Sequence, residues 1–369
     1  MSDESEETEW PQPRGNPFFV GHDAAEMALL DAWKSERFPH AWLLSGAKGV
    51  GKATLAYRFA RFVLSGGESV DQGGLFGDVE RNAVAVLNVD ENHPVFHRVA
   101  AAGHADLMTV RRTLNPDTKK IRRDIVVADI RTAGRSLRLT PGEAGWRIVI
   151  VDCADEMNPS AANAILKMLE EPPPRTVFFL LSHAPGRLLP TIRSRCRRLR
   201  LDALDENTMT LLLERYRPDL SDAERQILGA LSEGSIGAAL RLELDGGLAL
   251  HTEIIDLLAG LRDFDVAKAH ALGDKLARSG GFETFVWLLS GWAGRLIGGV
   301  ARGGAGLERV PGEARAMAVL YPTANLAQLM EVWDKVSELL TRADRSSLDH
   351  KQVVVSAFLS LQTVAITNQ

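Results

Sequence analysis

Trp42-Leu43-Leu44-Ser45-Gly46-Ala47-Lys48-Gly49-Val50-Gly51-Lys52-Ala53-Thr54-Leu55 reads as a strand, a glycine-rich loop and the start of a helix. Residues 41–44 are apolar and too few for a helix. Leu55, Phe59 and Phe62 then recur at helical spacing, and Val63 completes that face. The loop between them nearly fits the phosphate-binding pattern G-x-x-x-x-G-K-[ST]. Gly46, Gly49 and Gly51 allow the tight turn that aims amide N–H groups at an anion. The helix start adds its positive dipole end, and Lys52 would reach the outer phosphates. The last position fails. It is Ala53, where a hydroxyl should hold Mg²⁺, and Thr54 comes one residue late.

Downstream, Trp146 to Asp152 is an apolar run ending in a carboxylate, which suits a strand buried on both faces of a parallel sheet. In a phosphate-loop ATPase that acid holds the magnesium shell, and the next residue is a glutamate that orients water. Here Asp152 is followed by Cys153. Asn158-Pro159 caps a helix with a buried face at Ala162, Ile165, Leu166 and Leu169, and Pro172-Pro173-Pro174 ends it. Residues 177–181 are a further buried strand, and Arg197 to Leu201 a last short one. Beyond residue 202 the pattern is helical throughout, with an S-x-x-E capping box at Ser221 and Glu224.

Upstream, residues 1–16 are acidic and proline-bearing and read as a disordered lead. Asp23-Ala24-Ala25-Glu26 reads as a capping box opening a helix. Pro17 to Gly21 is a turn of the kind that packs on the base of a nucleotide, or a plain helix entry. Residues 66–105 carry a weak strand signal at 84–87 and no assignable chemistry. His93, His97 and His104 lack acidic or cysteine companions at metal spacing, so no metal site is expected.

The chain has 369 residues, enough for two or three domains, and a net charge of −5 that excludes wholesale polyanion binding. Basic residues are instead local. Arg111, Arg112, Lys119, Lys120, Arg122 and Arg123 make a basic connection. A helix over about 127–137 puts Arg131, Arg135 and Arg138 on one face, either a solvated stripe or one that tracks phosphates near DNA. The two cysteines, Cys153 and Cys196, form no C-x-x-C pair, which argues against a disulfide framework and a cysteine zinc site. With no apolar run of membrane length and an acidic N-terminus, a cytoplasmic protein without membrane attachment is expected.

Residues 17–245 resemble the AAA+ ATPase subunits of DNA polymerase clamp loaders. The resemblance rests on His40-Ala41-Trp42-Leu43-Leu44-Ser45-Gly46, on Asn163-Ala164-Ile165-Leu166-Lys167-Met168-Leu169-Glu170-Glu171-Pro172-Pro173, and on Ser194-Arg195-Cys196 in the same order. It implies an α/β AAA+ P-loop domain over 17–201, with a parallel sheet flanked by helices. A small helical lid over 202–246 and an all-α collar domain over 247–369 would follow. It implies Gly46, Gly49, Gly51, Lys52, Thr54 and Asp152 as the nucleotide site. Arg195 would be an arginine finger offered to the neighbouring subunit, or else a partner for a carboxylate of its own domain.

Three parts of the firing site depart from that family. Ala53 lacks the hydroxyl, Cys153 replaces the glutamate, and Gly234-Ser235-Ile236-Gly237 replaces the motors' Gly-Ser-x-Arg, whose arginine senses the γ-phosphate. The combination is similar to the non-hydrolysing stator class of bacterial DNA polymerase III clamp loaders. It implies weak ATP binding, no required cofactor, and neither polymerase nor ATPase activity in the chain alone. Some members, like the motor subunits, carry a four-cysteine zinc module after the first helix; without cysteines there, zinc is not expected. The implied partners are the delta and gamma or tau subunits, and through them the sliding clamp and primer–template DNA. An active motor with Thr54 or water at the magnesium position, and a P-loop nucleotide kinase, are the competing readings.

Overall fold

The computed structural model describes residues 10–35, 37–67, 87–138, 142, 145–303, 308–321, 325–345 and 349–366. Among the described residues five strands, β1 (Ala41–Ser45), β2 (Leu107–Val110), β3 (Arg147–Val151), β4 (Thr176–Ser182) and β5 (Arg197–Arg200), form one sheet. Their order is β2-β3-β4-β1-β5, and every pairing is parallel. Six helices among the described residues accompany them: α1 (Asp23–Lys34), α2 (Lys52–Leu64), α3 (Pro94–Ala100), α4 (Val127–Ser136), α5 (Pro159–Glu170) and α6 (Pro190–Arg193).

The period-2 alternation of the buried strands sorts side chains into two cores. Trp42, Leu44, Ile148, Ile150, Phe179 and Leu181 face α1 and α2, where they meet Leu29, Phe59 and Phe62. Ala41, Leu43, Val149, Val151, Phe178 and Leu180 face α4 and α5, where they meet Ile130, Ile165 and Leu169. Each fully buried large apolar side chain contributes about 1.5–3 kcal/mol. Phe38 stacks on Phe59 at 5.3 Å, and Phe59 meets Phe179 edge-on at 5.4 Å. This is the expected α/β fold, with helices on both faces of a parallel sheet.

Several local expectations change. Residues 1–9 of the expected lead lie outside the described residues, but residues 10–16 are held in place. Pro13–Gly15 is a short 3-10 turn. The buried Arg61 of α2 donates to the Arg14 and Asn16 carbonyls, both at 2.8 Å, and Arg58 donates to the Pro17 carbonyl at 2.9 Å. Burial, with repulsion from Arg58, lowers the Arg61 pKa to about 10. Asp23 and Glu26 form no capping box, because α1 starts at Asp23 itself with His22 as its cap. The Glu26 carboxylate instead takes Arg58 Nε at 2.8 Å and the Leu87 amide at 3.1 Å. Of the weak strand at 84–87, only Leu87 lies within the described residues. Nearby, α3 was not anticipated: His93 caps it by accepting the Val95 amide at Nδ1, 3.2 Å away.

Contacts group the chain into two compact units, residues 1–212 with 235–237, and residues 213–234 with 238–369, where the sequence indicated three segments. Among the described residues, nine further helices follow the sheet: α7 (Glu206–Tyr216), α8 (Asp222–Leu231), α9 (Ile236–Leu244), α10 (Gly247–Ala259), α11 (Val266–Ser279), α12 (Phe282–Ala301), α13 (Glu313–Leu320), α14 (Leu326–Arg345) and α15 (His350–Ile366). The Ser221–Glu224 capping box of α8 forms as read: the Glu224 amide donates to Ser221 Oγ, and the Ser221 amide to the Glu224 carboxylate at 2.9 Å. Phe285, Trp292 and Phe358 anchor the apolar interior of the second unit. A fully buried carboxylate of the same unit, Glu313, pairs with Arg295 Nη2 at 2.5 Å and His251 Nε2 at 3.4 Å. No helix among the described residues is long and apolar enough to cross a membrane.

Candidate functional site

The carboxyl ends of β1, β3 and β4 open on one edge of the sheet, where ligands bind in open α/β folds. The glycine loop leaves β1 there and enters α2. Gly46 has φ +153°, and a Cβ on it would lie 2.3 Å from the Leu201 carbonyl oxygen. Only glycine fits that approach of β5 to the loop. Gly49 and Gly51 follow with φ +81° and +115°. Phe19 and His22 lie directly under Gly51, at 3.3 and 3.6 Å from where its Cβ would be. His22 Nε2 donates to the Val50 carbonyl at 2.8 Å, which fixes the ring's tautomer and ties the turn before α1 to the loop. Burial lowers the His22 pKa below its ordinary value.

Lys52 is buried and turned into its own loop. Its Nζ donates to the Gly46 carbonyl at 2.8 Å and to the Ala47 carbonyl at 2.6 Å. Burial lowers its pKa, with Cys153, Asp152 and Asp155 acting in the opposite direction. Ala53 occupies the first turn of α2, where the hydroxyl would be required. Thr54 is rotated about 100° around the helix from that position, so it does not replace the missing oxygen in place.

Asp152 follows β3, and its carboxyl is pushed above the ordinary carboxylate range by burial, with Lys52 and Arg111 opposing. Cys153 takes a left-handed φ of +59°. Its thiol lies 3.8 Å from Asp152 Oδ1 and is pushed up to about 12 by burial and by the adjacent carboxylates, so it is a neutral, unreactive group at pH 7. Asp155, with a fully buried side chain, accepts the His183 amide at 3.2 Å, and its other oxygen lies 3.2 Å from His183 Nε2. Glu156 pairs with Arg112 at 2.9 Å. Neither Asp155 nor Glu156 is left as a free base.

The start of α9 closes over the loop. Ser235 Oγ donates to the Lys48 carbonyl at 2.7 Å, and the Gly237 amide donates to the Gly49 carbonyl at 3.0 Å. A Cβ at residue 237 would lie 2.7 Å from Gly49 Cα. Glycine at this position, to which the resemblance assigns a sensing arginine in the motors, lets two backbones touch. The residues present fit a magnesium–triphosphate poorly: no hydroxyl ligand, a lysine engaged by loop carbonyls, and a segment seated on the loop.

Arg195 lies on the surface just past α6. Its Nη1 donates to the Thr191 carbonyl at 3.0 Å, and its Nη2 is 2.8 Å from the Glu170 carboxylate at the end of α5. The intradomain pairing raised from the sequence is thus present, with Arg195 about a third exposed and Glu170 about half. Exposed pairs contribute about 0–1 kcal/mol, so a stronger anion could displace this one. Arg131 and Arg135 are exposed on α4, while Arg138 is exposed two residues past its end. The helix stops at Ser136, so the three do not share one continuous helical face.

His22 and His183 were not marked in the sequence as parts of the site, and Gly237 was marked only as a departure from Gly-Ser-x-Arg, not as a residue seated on the loop. A histidine directly after the Pro17–Gly21 turn was the only local sign of the first. His183 meets Asp155, and Gly237 meets Gly49, through tertiary contacts.

Residues 21–205 match the family model described as DNA polymerase III, delta subunit. The delta prime subunit of DNA polymerase III from Pseudomonas aeruginosa is 31% identical over 217 residues, covering 59% of this chain and 60% of that protein. The tau subunit of DNA polymerase III from Bacillus subtilis is 25% identical over 240 residues, covering 64% of this chain and 38% of that protein. Both alignments cover less than two thirds of the relative's length. A solved DNA polymerase III gamma subunit-related protein from Thermotoga maritima has 18% identity and a TM-score of 0.43, covering 92% of this chain and 99% of that chain.

Proposed function

This chain belongs to the DNA polymerase III delta subunit family, and on that premise we propose that it is the delta prime, or stator, subunit of a bacterial clamp loader. It takes part in ATP-dependent loading of the sliding clamp onto primed DNA in the cytoplasm. It does so beside delta and gamma or tau subunits, without firing its own site. The observation that carries this reading is an asymmetry. The phosphate loop has lost its magnesium hydroxyl, its water-orienting acid and its sensing arginine, and Gly237 rests on its backbone. The guanidinium of Arg195 meanwhile stands at the surface, held by an exposed pair. Phosphoryl transfer depends on positioning and charge compensation, so a site without those groups does not turn over usefully, whereas an exposed arginine serves a neighbour's nucleotide.

Calorimetric titration of the purified chain with ATP and Mg²⁺ tests the first half. The expected result is weak or undetectable binding, and tight magnesium-dependent binding would reject it.

A second reading, an active clamp-loader motor, is favoured by Lys52 and Asp152 both being present at the loop and by the similarity to a tau subunit. It requires ATP hydrolysis by the purified chain that Lys52→Ala abolishes.

A further inference from the structure

Residues 111–138 hold nine basic and three acidic residues in a chain whose net charge is −5. The first half of that stretch, left as a connection by the sequence, is a hairpin. Leu114 and Ile121 pair across it in antiparallel fashion. The Asn115 amide donates to the Lys120 carbonyl at 2.8 Å, and the Arg122 amide to the Thr113 carbonyl at 2.9 Å. Arg122 Nη1 reaches Thr113 Oγ1 at 2.7 Å, and that hydroxyl donates to Asp129 Oδ1 at 3.0 Å. Asp129 also accepts the Val126 amide at the start of α4. Ile125 donates to the Glu156 carbonyl and accepts from the Asn158 amide. The hairpin is therefore fastened to both α4 and the segment after β3.

What it displays is unusual for a solvated loop. Leu114 and Ile121, opposite one another and on one side of the ribbon, are 44% and 42% exposed. Lys119 and Lys120 beside them are exposed and have no ion-pair partner among the described residues. An apolar pair rimmed by cations, on a hairpin fastened to the helix that carries the exposed Arg131 and Arg135, matches a ligand with regularly spaced negative charge and accessible flat apolar faces. Single-stranded nucleic acid has both: phosphates for the lysines and arginines, and unstacked bases for the apolar pair. Duplex DNA offers the phosphates but keeps its bases stacked, and leucine and isoleucine engage it only by prising a step apart.

We infer that the hairpin over residues 111–125 is a contact for single-stranded DNA, with Lys119 and Lys120 on phosphates and Leu114 and Ile121 against bases. The inference extends the clamp-loader reading by naming the nucleic-acid form and the residues that meet it. It does not depend on the Arg195 assignment.

The test is fluorescence anisotropy of the full chain with a labelled single-stranded oligonucleotide and with a duplex of equal length, over a salt series. Wild type is expected to prefer the single strand. Lys119→Glu with Lys120→Glu is expected to weaken binding to both forms by about tenfold or more, and to reduce the salt slope by about 1.4 on the single strand, from roughly 0.7 per phosphate contact. Leu114→Ser with Ile121→Ser is expected to weaken the single strand several-fold and leave the duplex unchanged. Circular dichroism of both variants checks that they fold; these side chains are exposed, so they should. Absence of DNA binding by wild type at low salt overturns the inference. Equal loss on both DNA forms from the serine variant overturns it too. So does a lysine variant that keeps DNA binding but no longer co-purifies with protein partners, which would make the hairpin a protein-docking surface. Co-purification of wild type with clamp-loader subunits stands or falls separately, so failure here is distinguishable from failure of the functional reading.

Discussion

At the residue scale, the side chains around the glycine loop are engaged by partners within the chain. Lys52 spends its donors on the Gly46 and Ala47 carbonyls, and Cys153 holds a protonated thiol beside Asp152. Gly237 is the most discriminating of these positions. An added methyl would meet Gly49 Cα at 2.7 Å and its carbonyl oxygen at 3.0 Å, and both are backbone atoms that cannot swing aside. Gly237→Ala is expected to cost roughly 1–3 kcal/mol by thermal or denaturant unfolding. It should also speed amide exchange across residues 46–52. Unchanged stability and exchange would mean that α9 does not hold the loop. His22 adds a pH dependence at the same place. Its folded pKa lies below 6.5, so the unfolded chain binds the extra proton. Its contribution is fully present above pH 6.5 and is lost as pH falls from there through the lower folded value. Thermal melts between pH 7.5 and 5.5 should show that loss, and a His22→Asn variant should show less of it.

At the element scale, caps and buried pairs divide the stabilising work. Asn158 accepts the Ala161 amide at 2.9 Å and starts the helix that carries Glu170 toward Arg195. Asn158→Ala is expected to cost about 1 kcal/mol in denaturant unfolding. In the second unit, Glu313 is buried with Arg295 and His251; burial raises its pKa, but those hydrogen bonds and charges outweigh this and hold it below its ordinary value. Removing it with Glu313→Ala leaves the buried His251 without its carboxylate and Arg295 with only the exposed Glu233, 3.5 Å away, as counter-charge, and a loss of about 3 kcal/mol is expected. The elements were readable where one rule governed them. The strands at 41–45, 147–151 and 176–182 are apolar runs buried on both faces, and α5 is bracketed by Asn158 and a proline triplet. They were not readable where a distant partner decided. Glu26 left its expected cap because Arg58 bids more strongly for its carboxylate. The short α3 has no periodic face long enough to see, and the hairpin at 111–125 has charge but no alternating strand pattern. The glycine loop between β1 and α2 was legible in the sequence, while its contact with Gly237 joins residues almost two hundred positions apart.

At the scale of the whole molecule, one sheet edge carries a glycine loop in which Lys52 is followed by Ala53, and the same unit presents Arg195 at its surface. Family membership and the parallel α/β fold rest on the match over residues 21–205 and on the sheet itself. The stator role rests on the chemistry of the two sites together. The pairing of Arg195 with Glu170 sharpens its test, because an arginine needed only for that exposed pair would matter little to anything beyond this chain. The most direct measurement is the ATPase rate of the reconstituted loader assembled with Arg195→Ala, alongside Glu170→Ala and thermal melts of both chains. The expected result is a folded Arg195→Ala subunit that enters the complex and lowers its ATPase steeply, toward the ~10³–10⁵-fold effect of arginine fingers at the affected site, with Glu170→Ala close to wild type. An ATPase rate left unchanged by Arg195→Ala would contradict the account.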